Sequence, residues 1–532
     1  MAYALMRVAN VNDESKQLIG SSDGHDDRNS NRLRAWALGF IAGLLLYGGT
    51  VAPGLLWGDS GEAQLQIALD GWYVNGEIVR SHVLYFAFAR FLHWLLPLKA
   101  TLAGNLAAAL AGALTIANVA WLIAYLVRSI PALICGTALL LFSHTLWQLS
   151  TSAEVVTTTT ALMSAELVFF VKLIETRRLR WLAALAFANG LGVSNHNFAL
   201  LIWPVYAVLV ITWWSTWSGG RLKKAATAIG CLLLGMGPVL ALCFDDYLTR
   251  GSLADTVESF LVGHYGHKVL NIGSLASLCF RSIAMTGLNF PTPVALLALP
   301  GGWWLARSGR RSLAVLLIGG LVMYGGFAVR YNVPDQHTFL VPAFIYVAVL
   351  AAVGIDGWKA AERRWVTYLL IALSCVGPVV YAAAPPILKS VAPDTKLMPT
   401  RRVPYRERFS WFVHPWRVGY DGAARYARET LESLPDGAVL GVDTTLAAPL
   451  NYVQLAEEFR RDIRLDCRFV RQDWLDKMDL RTVRDQALAG NRYFVASDNP
   501  QYLPKWLRDR APQLLRHGHV FRVTSLKSEP DG

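Results

Sequence analysis

The sequence predicts a polytopic α-helical membrane protein, about eleven transmembrane helices followed by a small C-terminal extracytoplasmic α/β domain. Three observations predict it. Of the 532 residues, 54% are hydrophobic and only 17% charged, with a mean hydropathy of +0.34, whereas an ordinary soluble chain carries about 25% charged residues. The apolar residues arrive in blocks of about 20, enough to cross a hydrocarbon core of about 30 Å. The connections between blocks alternate between basic and poorly charged. This pattern excludes a soluble enzyme, a disordered scaffold and a nucleic-acid binder of the usual kind.

Residues 1–31 are polar and predicted to be a disordered cytoplasmic segment. They lack the short apolar run and small-residue cleavage site of a signal peptide. Spanning helices are predicted to start near Trp36, Thr101, Pro131, Val155, Trp181, Phe198, Ala225, Ser282, Ser312, Phe339 and Val366. One set of connections holds Arg32 and Arg34; Arg128; Arg177, Arg178 and Arg180; Arg221, Lys223 and Lys224; Arg307, Arg310 and Arg311; and Lys359, Arg363 and Arg364. Short loops rich in Lys and Arg stay in the cytoplasm, so the N-terminus faces inward. The spanning domain, residues 32–385, then delivers the chain to the outer side. Segments 56–99, 245–281 and 330–337 fall on that outer face too. Within the first, residues 83–98 are apolar but short for a span, and are predicted to lie along the interface. Residues 393–532 alternate helical pattern (423–434) with strand-like runs (438–442), as a small α/β domain does.

The net charge of +12 is thus largely an orientation signal. The six cysteines have no metal or redox spacing and read as buried thiols. No Walker or Rossmann phosphate loop is present, so nucleotide-driven chemistry has no support.

In a membrane protein, ionisable residues at helix ends are functional candidates by default. The densest cluster is Trp57-Gly58-Asp59-Ser60-Gly61-Glu62, a Gly-flanked turn with two carboxylates three residues apart. One carboxylate can take a proton while the other tunes it. The same pattern also fits Asp59 or Ser60 capping a helix that begins at Glu62, and the two readings are compatible. Other outer-face candidates are Glu154, His196 in Asn195-His196-Asn197, Asp335 and His337. The Asn195-His196-Asn197 stretch also reads as a polar break between helices. His264 and His267 have metal-ligand spacing but no firm third ligand, and an exposed polar loop explains them as well. Thr157 to Thr160 read as a helix-packing surface.

These stretches, in this order, resemble a GT-C-class membrane glycosyltransferase family, long catalogued as a domain of unknown function, that includes a protein O-mannosyltransferase. Gly58-Asp59-Ser60-Gly61-Glu62 is similar to its signature after the first span. Ser152-Ala153-Glu154-Val155 is similar to its Ala-Glu-Val helix start, and Gly190-Leu191-Gly192-Val193-Ser194-Asn195-His196 to its Gly-Leu-Gly…Asn-His stretch. Tyr331-Asn332-Val333-Pro334-Asp335-Gln336-His337 with Pro342 resembles its Asp-containing outer loop. Leu440-Gly441-Val442-Asp443, Tyr452 and Arg461-Asp462-Ile463 resemble its extracytoplasmic segment. The resemblance runs from about Trp57 onward. It departs at Val79-Arg80-Ser81-His82-Val83-Leu84-Tyr85, where the family's proline landmarks are missing and His82 stands in for its histidine.

The resemblance implies a polyprenyl-phosphate-linked sugar donor drawn from the membrane and transfer on the outer face of a bacterial inner membrane. The expected acceptor is a protein or glycan, and no cofactor, metal or nucleic acid is expected. Asp59 is the expected general base with Glu62 as its catalytic partner. Arg80, His82, Glu154, His196, Arg330, Asp335 and His337 are the expected substrate-binding residues. Arg80, Arg330, His82 and His196 are the expected positive groups facing the leaving phosphate. The competing class is a transporter or lipid-linked-sugar flippase. That class predicts ionisable residues at mid-membrane and paired repeats with broken helices; here the acids cluster at outer helix ends, and no half-to-half repeat is evident.

Overall fold

The structure is a computed structural model that describes residues 22–72, 77–214, 220–266, 275–333, 335–358, 362–395, 403–467 and 479–526. The helical part opens with α1 (Ser22–Gly43), extended by a wider turn over Leu44–Gly48, then α2 (Gly58–Ala68), α3 (Val83–Leu95) and α4 (Ala100–Leu126). It continues with α5 (Ile130–Leu141), α6 (His144–Ser150), α7 (Val156–Thr176), α8 (Leu179–Asn195) and α9 (Trp203–Trp214). Next come α10 (Arg221–Arg250), α11 (Leu253–Leu261), α12 (Leu275–Asn289), α13 (Ala298–Arg307), α14 (Arg311–Arg330), α15 (Val341–Gly357), α16 (Arg364–Ser374) and α17 (Gly377–Val391).

Among the described residues, five helices are long and apolar enough to cross a membrane, or up to eight if each of three bent pairs is one span. These eight begin at or near eight of the predicted starts. The remaining three starts give helices that fall short. Trp36 lies in α1, whose N-terminal half is polar; α8 has 17 residues; and the apolar stretch Asn197–Trp213 is likewise short. The reason for the last two is the polar break at residues 195–197, which divides one hydrophobic stretch. A second correction concerns the N-terminus. Residues 1–21 lie outside the described residues, but 22–31, expected to be unfolded, are helical. Arg32 helps to hold that helix, with Nη1 2.8 Å from Glu175 Oε1 and its guanidinium 4.7 Å from the Tyr125 ring centroid.

Small residues let the spanning helices approach closely. A methyl group on Gly301 of α13 would stand 1.9 Å from the Leu350 carbonyl oxygen of α15. The threonine run does serve packing: the Thr160 and Thr115 hydroxyls are 3.0 Å apart across α7 and α4. The apolar run at 83–98 becomes the 13-residue α3, with Tyr85, Phe86 and Ala89 packed on Ala103 and Ala107 of α4 and Phe91 and Trp94 exposed.

The C-terminal part contains α18 (Arg408–Val413), α19 (Gly422–Ser433), β1 (Val439–Gly441), α20 (Thr444–Leu455), β2 (Arg464–Asp466), α21 (Leu480–Ala489), β3 (Tyr493–Val495), α22 (Lys505–Arg508), β4 (Gln513–His517) and β5 (Val520–Ser525). The sheet order is β2-β1-β3-β5-β4, with β1 parallel to β2 and β3, and β5 antiparallel to β3 and β4. The core on one side of this sheet does not end at the C-terminal domain. Leu55, Trp57 and Leu65 join Tyr426, Leu446 and Leu450 in one buried cluster. Helix α2 is therefore wedged between the C-terminal domain and the spanning bundle, with Ala63 and Ile67 facing α3 and α4.

Candidate active site

Helix α2 starts at Gly58, not at Glu62. Gly58 has φ +56°, with open space where a side chain would be, a backbone conformation that glycine adopts without penalty. The cap position is Trp57, which makes no side-chain cap hydrogen bond. The capping reading of Asp59 and Ser60 is thereby corrected. Asp59 sits in the first turn, where the positive end of the helix dipole favours a carboxylate, and its side chain is 77% exposed. Ser60 instead donates to Glu154, with Oγ 2.7 Å from Oε1. Gln64, fully buried, holds the helix: its Oε1 accepts from Leu56 N at 2.9 Å, and its Nε2 donates to Gly54 O, Thr101 O and Asn105 Oδ1 at 3.0–3.2 Å.

Around Asp59 the chain brings several predicted residues together. Arg80, at the end of the short turn Ile78–Arg80, places Nη2 3.6 Å from Asp59 Oδ1. Such a pair with an exposed partner adds little stability; its interest lies in the charge it places there. Glu62, one turn on, accepts from Gln66 Nε2 at 3.1 Å, and burial raises its pKa. Burial pushes Glu154 up to about 8, and the charges of Asp59 and Asp335 push in the same direction. At pH 7 Glu154 is therefore mostly a neutral carboxylic acid. Tyr265, between the two histidines of its loop, belongs to this site although no local pattern marks it. Burial raises its pKa, and Arg80, Asp59, Asp335 and Glu77 all act on it. It thus stands among the site's charges. His267 and the side chain of His264 lie outside the described residues. Among the described residues, no group of three or more His, Cys, Asp or Glu side chains is arranged to hold a metal.

The break after α8 supplies the second half of the site. Asn195 is buried and ties three elements together. Its Oδ1 accepts from Tyr85 N at 2.9 Å, and its Nδ2 donates to Val155 O at 3.1 Å and Thr159 Oγ1 at 2.9 Å. His196, at φ −159°, is extended, so the helix ends there. His82 Nδ1 lies 2.8 Å from Asn195 O, and the His82 and His196 rings stack at 5.3 Å. A carbonyl can only accept, so His82 carries its proton on Nδ1 and leaves Nε2 as an acceptor. His196 Nδ1 accepts from Phe198 N at 3.1 Å, which puts its proton on Nε2. Burial pushes His82 down to about 3, helped by His196 and Arg80, and His196 down to about 4. Both rings are neutral at pH 7. This corrects their expected role as positive groups: they offer one acceptor and one donor, and the charge at Asp59 comes from Arg80.

His337 and Arg330 make no contact with Asp59 among the described residues. His337 lies in the turn Gln336–Leu340, 6.2 Å from the Phe412 ring, which is itself 6.4 Å from His144. The chain turns between Asp335 and His337, so the two side chains serve different surroundings. Arg330 ends α14 with its Nε buried and without a hydrogen-bond partner among the described residues.

Comparisons agree with the fold. Residues 82–218 match the family model described as the protein O-mannosyl-transferase TMEM260 N-terminal domain. ArnT from Cupriavidus metallidurans in the apo state is 15% identical and aligns over 93% of this chain and 99% of its own, with a TM-score of 0.56. The same enzyme bound to undecaprenyl phosphate gives 14% identity, 92% and 97% coverage, and a TM-score of 0.55. The Archaeoglobus fulgidus oligosaccharyltransferase in the apo form, 11% identical over 88% of this chain and 69% of its own, has a TM-score of only 0.45. No curated protein matches the chain. The chain is thus a multi-pass membrane protein with the fold of the GT-C membrane glycosyltransferases, and its matched stretch carries His82, Glu154 and His196.

Proposed function

We propose that this protein is a membrane glycosyltransferase that moves a sugar from a polyprenyl-phosphate donor to a hydroxyl of a protein or glycan acceptor, on the outer face of a bacterial inner membrane. The N-terminus is cytoplasmic and the α/β domain extracytoplasmic. The observation that carries the reading is Asp59: an exposed carboxylate in the first turn of an otherwise buried helix, 3.6 Å from Arg80, in a chain that shares its fold with a protein crystallised with undecaprenyl phosphate.

The chemistry follows from the groups present. Asp59 takes the proton of the acceptor hydroxyl as its oxygen bonds to the anomeric carbon. The bond from that carbon to the phosphate oxygen breaks, and polyprenyl phosphate leaves with the electron pair. Arg80 faces that growing negative charge. Glu62 tunes Asp59 from the next turn. Neutral Glu154, His82 and His196 are hydrogen-bonding groups for sugar hydroxyls, with Asp335 at the rim. No metal or cofactor enters the scheme, and the family-model match makes a hexose such as mannose the first sugar to try.

The test is to incubate purified protein with radiolabelled polyprenyl-phosphate hexoses and a peptide or glycan acceptor. Wild type is expected to transfer the label and release lipid phosphate, and Asp59→Asn to lose at least about 100-fold in rate while keeping its thermal unfolding profile. An Asp59→Asn protein of undiminished activity would sink the assignment. Movement of intact lipid-linked sugar across vesicles without transfer would favour a flippase.

A further inference from the structure

Asp59 and Glu154 come from turns almost a hundred residues apart, yet one segment of the outer domain, residues 411–420, grips the chain ahead of both. Immediately before the Asp59 turn, the Trp57 indole N–H donates to the Tyr420 hydroxyl. The Trp57 ring is 5% exposed and stands 5.3 Å from the Tyr426 ring. Three residues before Glu154, the buried Thr151 hydroxyl donates to the Pro415 carbonyl at 2.7 Å. Between these two points Arg417 N donates to Thr50 O at 2.9 Å, and Ala52 N donates to Thr151 O at 2.9 Å. The segment is also closed on itself. The buried Arg417 guanidinium donates to the carbonyls of Trp411, His414 and Trp416 and lies 4.1 Å over the Trp411 ring.

This bracing matters because the Asp59 turn has little rigidity at its start. Gly58 is in the left-handed region with nothing packed where a side chain would be, so the residue before it must supply the anchor. Asp59 itself is exposed, and among the described residues its side chain is held by the weak pair to Arg80. We infer that residues 415–420 form a positioning strap for the active site. Trp57, Tyr420 and Thr151 act as positioning residues that set the Asp59 turn against Glu154, with Ser60 linking the two turns. The inference rests on the proposed transfer reaction, in which an ångström of misplacement costs up to about 100-fold in rate.

The test uses the full-length protein with Tyr420→Phe, which removes the hydroxyl that accepts from Trp57, and Thr151→Val, which removes the hydroxyl that lies against the Pro415 and Gln148 carbonyls. Two measurements are made on each: transfer kinetics with a polyprenyl-phosphate hexose, and backbone hydrogen exchange by mass spectrometry. Each variant is expected to lose about 10-fold in kcat, with the donor KM changed by less than about 3-fold. The double variant should fall short of the product of the two losses, because both act through one strap. Exchange should quicken in 58–62 and 152–155 and stay at the wild-type rate in the sheet. Val418→Ala, on the same strap but 63% exposed, should leave both measurements unchanged. Wild-type exchange at the two turns, a speed-up spread over the whole outer domain, or an unchanged kcat in both variants would each overturn the strap. A wild-type protein that transfers no sugar would instead overturn the transfer reaction, and the exchange data would still decide whether the strap holds the two turns.

Discussion

At the scale of single residues, the site is a case of environment assigning roles to similar groups. Asp59 and Glu154 are both carboxyls, but one is out in solvent and the other is enclosed and hydrogen-bonded to Ser60. The consequence for stability can be signed. Below about pH 4.5 Glu154 is neutral whether the chain is folded or unfolded. As pH rises from there to about 8, the unfolded chain gives up a proton that the folded chain retains. Stability contributed at Glu154 is thus full at low pH and lost across that window. Thermal unfolding of wild type and Glu154→Gln between about pH 5 and about pH 8 should show the wild type losing ground steadily to the variant; parallel curves would contradict it. Asp59, Glu154 and His196 were legible as candidates because polar residues stand out beside apolar helices. Tyr265 and Ser60 were not. Their importance depends on what they face, and nothing local marks it.

At the scale of elements, α2 shows how much rests on backbone fit. A methyl group on Gly61 would stand 2.4 Å from the Leu56 carbonyl oxygen and 3.1 Å from the Ala448 methyl. The first is backbone and cannot swing aside, so Gly61→Ala must push α2 off its seat. Gly58→Ala meets no neighbour and incurs only the left-handed backbone penalty, about 1–2 kcal/mol. Gly61→Ala is expected to destabilise by more, up to about 3 kcal/mol, and to depress transfer further. Chemical or thermal unfolding of the two variants checks the order, and the reverse ranking would contradict the wedge. Both glycines were visible in the sequence as turn formers. Only one of them proves to be a turn residue; the other is a packing contact.

At the scale of the whole molecule, the C-terminal domain and the spanning bundle share one helix. Leu55, Trp57 and Leu65 are buried by the C-terminal domain, so that domain cannot be removed without uncovering them. A chain ended at residue 395 should insert in the membrane but fail to hold the Asp59 turn. The expected result is loss of transfer together with rapid proteolysis between residues 50 and 70, measured on membranes of cells that express it. A truncated protein with wild-type transfer would contradict the shared core. The predicted boundary between a spanning domain and a C-terminal α/β domain follows the chain, yet the buried cluster crosses it. Sequence pattern locates elements along the chain and says little about which of them share a core.

What the sequence determined by itself was the solvent and the grammar of the fold. Apolar blocks of bilayer length require helices, and the basic connections predict their orientation. The turn of 423–434 into α19 and of 438–442 into β1 follows from local periodicity in the same way. The tertiary structure alone decided which polar groups meet. Burial turned His82 and His196 into neutral, oppositely protonated partners, and packing set His337 against Phe412. Those outcomes depend on desolvation and hydrogen bonds between residues up to hundreds of positions apart, which no local pattern records. The candidate acid was written in five consecutive residues; what holds it in place was not.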